Sequence, residues 1–74
     1  MKNIILTNHA KYRLFERGID VHQVKKVVKN GSIVKSDLDG TMTIKGVTDN
    51  GKTLEIIGHK QNNKFIIKTA YYAS

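Results

Sequence analysis

The hydrophobic pattern of the chain changes period once, at Gly31. Before that point apolar residues recur at helical spacing. After it they alternate with polar ones or form short runs bounded by turn residues. Ala10 and Leu14 mark a first helix that starts from Thr7 or Asn8, either an acceptable N-cap, and runs to Arg17. Gly18 stops it as a left-handed residue just past the end. Asp20 opens a second helix: its carboxylate can accept from the Gln23 backbone while the Gln23 amide reaches back, and Ile19 can staple against Val24. Val21, Val24, Val27 and Val28 share one face, Lys25, Lys26 and Lys29 form a solvated opposite face, and Asn30-Gly31 ends the helix. Valine is a weak helix former, so packing must hold this segment.

The alternating half predicts four strands: Ser32 to Ser36, Thr41 to Thr48, Thr53 to Lys60, and Lys64 to about Tyr72. The connections Asp37-Leu38-Asp39-Gly40, Asp49-Asn50-Gly51 and Gln61-Asn62-Asn63 are too short for parallel crossovers, so the strands form an antiparallel meander. Asn50-Gly51 is the strongest hairpin signal, since both residues tolerate positive φ. Gly46 and Gly58, inside strands, point to bulges or to close approach of another group. Met1 to Leu6 reads as a short strand or an arm. The expected architecture is therefore α+β: one domain over residues 1–74, with two N-terminal helices packed on one face of a four-stranded antiparallel meander sheet. The other face lies open, and a second copy covering it would make a homodimer.

Composition narrows the function. Without cysteine there is no disulfide and no thiolate nucleophile or metal ligand, which fits a reducing, cytoplasmic setting. The apolar run Ile4 to Leu6 is far too short for a signal-peptide core or a membrane span, so no membrane partner is expected. Thirteen Lys plus Arg against six Asp plus Glu give a net charge of +7 and make a polyanion the first partner to consider. Eleven of those cations are Lys in a chain also rich in Ile and Asn, a bias that AT-rich coding alone would produce. Arginine runs against that bias, and the only two, Arg13 and Arg17, stand four residues apart. No Gly-rich phosphate loop or metal-spaced cluster is present, and Asp37, Asp39 and Gly40 lack the other ligands of a calcium loop. No metal or cofactor is called for.

On the first helix His9, Arg13 and Arg17 fall at i, i+4 and i+8, one row beside Ala10 and Leu14. Imidazole is the side chain that titrates nearest neutrality, and guanidinium forks match phosphate oxygens. Metal-free cleavage of a phosphodiester needs a base for the 2′-hydroxyl, an acid for the leaving oxygen and cations over the developing charge. The row could supply two of the three. A purely structural account pairs Arg13 with Glu16 or a sheet carboxylate, uses Arg17 to cap the helix end and satisfies His9 from the backbone. In the last strand, period two puts Phe65, Ile67, Thr69 and Tyr71 on one face and Ile66, Lys68, Ala70 and Tyr72 on the other. Thr69 and Tyr71 can then hydrogen-bond a phosphate or stack a base, whereas Tyr72 reads as a partly buried sheet tyrosine. His59, late on the third strand, is a second acid or base or simply exposed; His22 reads as surface.

The opening His9-Ala10-x-x-Arg13-x-x-Glu16-Arg17-Gly18-Ile19, the Val-rich second helix and the closing Lys68-Thr69-Ala70-Tyr71 resemble the domain of unknown function family 4258. That family is similar in turn to the barnase, EndoU, colicin and RelE group of small ribonuclease toxins. The resemblance implies a metal-independent endoribonuclease of RelE/barnase-like fold. His9, Arg13, Arg17 and Tyr71 are its catalytic candidates, with Thr69 and Lys68 on the nucleic acid. His59 joins the nucleic-acid contacts from the strand reading alone. The implied partners are RNA and an acidic antitoxin or immunity protein. The alternative is a non-catalytic module of phage or plasmid origin that binds nucleic acid or protein.

Overall fold

A computed structural model describes residues 3–73. Its elements are β1 (Asn3–Leu6), α1 (Asn8–Glu16), α2 (Val21–Asn30), β2 (Ser32–Ser36), β3 (Thr41–Val47), β4 (Thr53–Gln61) and β5 (Lys64–Ala73). Met1 and Lys2, the start of the expected first strand, lie outside the described residues.

Both ends of α1 follow from local chemistry. The Thr7 hydroxyl accepts from the Ala10 N–H at 3.0 Å. At the other end Gly18, at φ +65°, lets its own N–H reach Phe15 O at 3.1 Å and the Ile19 N–H reach Leu14 O at 2.9 Å. This paired-bond stop turns Ile19 back into the core beside Leu14. In α2 the Asp20 carboxylate accepts from the His22 N–H at 2.8 Å. The expected reciprocal cap with Gln23 does not form. Gln23 instead crosses to Asp49, donating to Oδ2 at 2.9 Å and accepting from the Asp49 N–H at 2.9 Å. That partner satisfies both ends of the carboxamide, whereas the cap offers it a single N–H.

The sheet has five strands in the order β1-β5-β4-β3-β2. Strands β2 to β5 form the expected antiparallel meander, but β1 adds to the edge of β5 in parallel, with Ile4 opposite Phe65 and Leu6 opposite Ile67. The sheet is therefore mixed, and the four-stranded antiparallel expectation is corrected at this edge. A four-residue strand whose partner lies at the far end of the chain has no turn to announce it. At the Asp49-Asn50-Gly51 hairpin only Gly51 takes positive φ, +81°. Thr48 and Lys52 close a three-residue loop, through the Thr48 N–H to Lys52 O at 2.7 Å.

Both helices cover one face. Ala10, Leu14, Ile19, Val24, Val27 and Val28 meet Met42, Ile44, Leu54, Ile56, Phe65, Ile67 and Ala70 in a single buried cluster. Gly46 admits Val27, whose Cγ1 would stand 3.1 Å from an added Cβ; at Gly58 the Phe65 ring would stand 2.5 Å from one. Small residues are required at both places because large side chains pass over the backbone.

Beside Gly58 the β4/β5 register shifts: Ile57 opposes Thr69 while Gly58 opposes Ile67, leaving Lys68 as an extra residue. The bulge reverses the alternation. Phe65, Ile67, Ala70 and Tyr72 face the helices, and Ile66, Thr69 and Tyr71 face the opposite way. The sequence expectation that Thr69 and Tyr71 share a face with Phe65 and Ile67 is overturned, since strict period two holds only in an unbroken ladder.

Candidate functional site

Strand β1 ends at Leu6, level with Ile67, so the edge of β5 beyond that point has no strand neighbour. Helix α1 packs on β5. Its buried Ala10 and Leu14 fix its rotation, and each member of the row His9, Arg13 and Arg17 stands near that buried stripe. Arg17 crosses to β5: its Nη1 donates to Thr69 Oγ1 at 2.8 Å and to the Ala70 carbonyl at 2.9 Å. One turn earlier, Arg13 Nε donates to His9 Nε2 at 2.7 Å. Through Arg17 the helix row thus meets the last strand at a seam.

The structural account holds for Arg17, which is the C-cap of α1, but not for Arg13, which bonds His9 in place of Glu16 or a sheet carboxylate. Among the described residues the ion pair present is Lys26 with Asp49 at 2.8 Å, and neither Arg13 nor Arg17 bonds a carboxylate. Arg17 has spent one nitrogen on two neutral oxygens, leaving the rest of its guanidinium for an anion. Thr69 Oγ1 accepts from Arg17, so its own hydroxyl hydrogen is free to point at a second acceptor. Since His9 Nε2 accepts, the neutral ring carries its proton on Nδ1. The seam thus carries two guanidiniums, a hydroxyl and an imidazole in two hydrogen-bonded pairs, Arg13 with His9 and Arg17 with Thr69.

The other candidates fall around this seam at different distances. Lys68, exposed, occupies the bulge next to Thr69. Tyr71 shares the open face with Thr69 but stands opposite Glu55, which in turn stands opposite Lys45. His59 lies one row the other way, between Ile66 and Thr41 and against the Gly40 turn, where an added Cβ would come 2.9 Å from its Cε1. Among the described residues neither Tyr71 nor His59 hydrogen-bonds the helix row. Next to His59, the Asp39 carboxyl is held below its usual value, chiefly by the Thr41 backbone N–H, with lesser contributions from the Thr41 side chain, His59 and Lys68. Tyr72 packs against the core under Lys52, whose Nζ stands 5.1 Å from the ring centroid, as expected of a sheet tyrosine. The Ala70 carbonyl is the one part of the seam the sequence could not name, because a backbone acceptor carries no residue signature.

Among the described residues no three His, Asp or Glu side chains are grouped to hold a metal ion, and no helix is long and apolar enough to cross a membrane.

A basic α+β domain with an uncompensated cationic seam between its first helix and last strand is the class these features define. The chain belongs to the family described as Domain of unknown function (DUF4258), whose model matches residues 6–72 and so takes in every seam residue. No curated protein and no solved structure matches it significantly.

Proposed function

We propose that the protein is a small RNA-directed, metal-independent endoribonuclease of toxin type, acting at the α1/β5 seam. The observation that carries this reading is Arg17. A guanidinium is anchored on Thr69 and Ala70 and, among the described residues, bonds no carboxylate. In this reading Arg13 and Arg17 hold the phosphate, and Arg13 moves from His9 to a phosphate oxygen as substrate enters. The freed His9 Nε2 takes the proton from the ribose 2′-hydroxyl, the 2′-oxygen attacks phosphorus, and the 5′-oxygen leaves and is protonated by solvent. Charge growing on the non-bridging oxygens is met by both arginines and the Thr69 hydroxyl. Tyr71 and Lys68, on the same side of β5 as Thr69, orient the flanking nucleotide; His59 contacts the strand further along the open face. A RelE/barnase-like domain working in this way would act in the cytoplasm, held in check by an acidic antitoxin or immunity protein.

The test is cleavage of RNA by purified protein in chelator. The expected products end in 2′,3′-cyclic phosphate and disappear with His9→Ala. Intact RNA at high protein concentration, or equal cleavage by that variant, sinks the reading.

One observation favours a non-catalytic RNA binder instead: Arg13 occupies the lone pair that a base would use. Binding that weakens steeply with salt, without product, would select that alternative.

A further inference from the structure

A second cationic feature lies on the same β1/β5 side of the molecule, away from the seam. Lys25 and Lys29, one turn apart on α2, and Lys64 at the start of β5 line an open cleft of about 420 Å³ whose floor is Asn3, Ile4 and Ile5. None of the six acidic residues lines it, and among the described residues none of these lysines forms an ion pair. The expected solvated lysine face is seen, with all three lysines exposed. Of its three members Lys26 turns to Asp49, while Lys25 and Lys29 turn with Lys64 onto one concavity. Like charges one turn apart oppose helix formation, and the α2 C-terminal dipole relieves only Lys29, so two of the three remain uncompensated without an anion.

We infer that this cleft is a phosphate-binding subsite for single-stranded RNA, holding the backbone of the strand whose other part occupies the α1/β5 seam; the inference rests on the RNA reading above. Lys64 and Thr69 are five residues apart on β5, about 16 Å of strand, which is longer than a dinucleotide spans. The lysines supply point charges suited to phosphates in variable positions, and Asn3 supplies a carboxamide for a sugar or base edge. A strand lying along this side would pass from the lysine cleft over β1 to His9, Arg13 and Arg17. The seam would then act on RNA long enough to reach both places.

The test uses a 2′-O-methyl 12-mer, which binds but cannot be cut through its 2′-oxygen. This separates the cleft from the chemistry: a parent protein that binds the 12-mer without cutting natural RNA refutes the nuclease and leaves the cleft measurable. With Lys25→Ala/Lys29→Ala/Lys64→Ala the 12-mer affinity is expected to fall tenfold or more. The slope of log affinity against log salt should drop by about 2, at about 0.7 for each phosphate that is no longer neutralised. A 2′-O-methyl trimer, too short to span both places, should bind parent and variant alike. In the unmodified protein, amide shifts of Lys25, Lys29, Lys64 and Asn3 should move with the 12-mer and not with polyglutamate. Unchanged 12-mer affinity and slope in the variant, no binding by the parent, or equal amide shifts with polyglutamate overturns the subsite.

Discussion

Two polar clasps tie the helices to the sheet, and they differ in what they leave over. At the α2 clasp, Lys26 and Gln23 converge on Asp49, so cation, carboxylate and amide satisfy one another. The hydrogen bonds from Lys26 and then Gln23 hold the Asp49 carboxyl below its usual value. At the α1 clasp, among the described residues, Arg17 bonds a hydroxyl and a carbonyl and no carboxylate, so the contact is made without neutralising the positive charge. A closed network of charges has finished its work in holding the fold. An anchored but unneutralised cation is still available to a ligand, and that difference marks the second clasp as the functional one.

Four substitutions put this contrast at risk. His9→Ala should lower RNA cleavage most, by about 10²–10⁴, the range for losing a general base, while circular dichroism and melting stay close to the parent. A variant that cuts normally would detach the chemistry from the helix row. Arg17→Lys should cost about 10²–10³ in turnover, as for other donors aimed at developing charge. Without the anchoring bonds it should also be less stable by about 1 kcal/mol, read by thermal melting as roughly 4–8 °C for a domain this size. Full turnover in this variant would mean that charge alone suffices and the fork geometry is irrelevant.

Thr69→Val keeps the Arg17 bond to Ala70 but removes the hydroxyl. Cleavage should fall about tenfold, equivalent to about one hydrogen bond, in single-turnover measurements; an unchanged rate would show that Thr69 serves only as an anchor. Asp49→Asn should leave turnover intact and act on stability alone. Because its folded-state pKa is lowered, Asp49 contributes stability that is present above the ordinary carboxylate value, near 4, and is lost as pH falls through the lowered one. Melting curves from pH 7 down to pH 2 should therefore show the parent losing its small advantage over Asp49→Asn in acid. Parallel profiles would mean the clasp is not worth its geometry.

How much of this was legible in the chain depended on range. Thr7 and Gly18 bounded α1, the valine period set the buried face of α2, and short turns forced β2 to β5 into a meander, all through interactions spanning a few residues. The His9, Arg13, Arg17 row was equally readable, because a nine-residue helix with a buried Ala10 and Leu14 leaves it one orientation. The Gln23 cap failed because a partner 26 residues away, Asp49, outcompeted the local one. Gly58 pointed to the irregularity on β4, where the Phe65 ring lies over it, but nothing in Ile67-Lys68-Thr69 marks Lys68 as the extra residue on the facing strand.

Residues close together along the chain were enough to define the helices, the strands that follow them and the identity of the charged row. It took the folded molecule to dock β1 in parallel on β5 and stop it short, to turn Thr69 away from the core through the bulge, and to bring Arg17 to it. Helix caps and tight turns are settled by immediate neighbours. A parallel edge, a register shift and a hydrogen bond between residues 52 positions apart are settled by which surfaces remain once the core has closed.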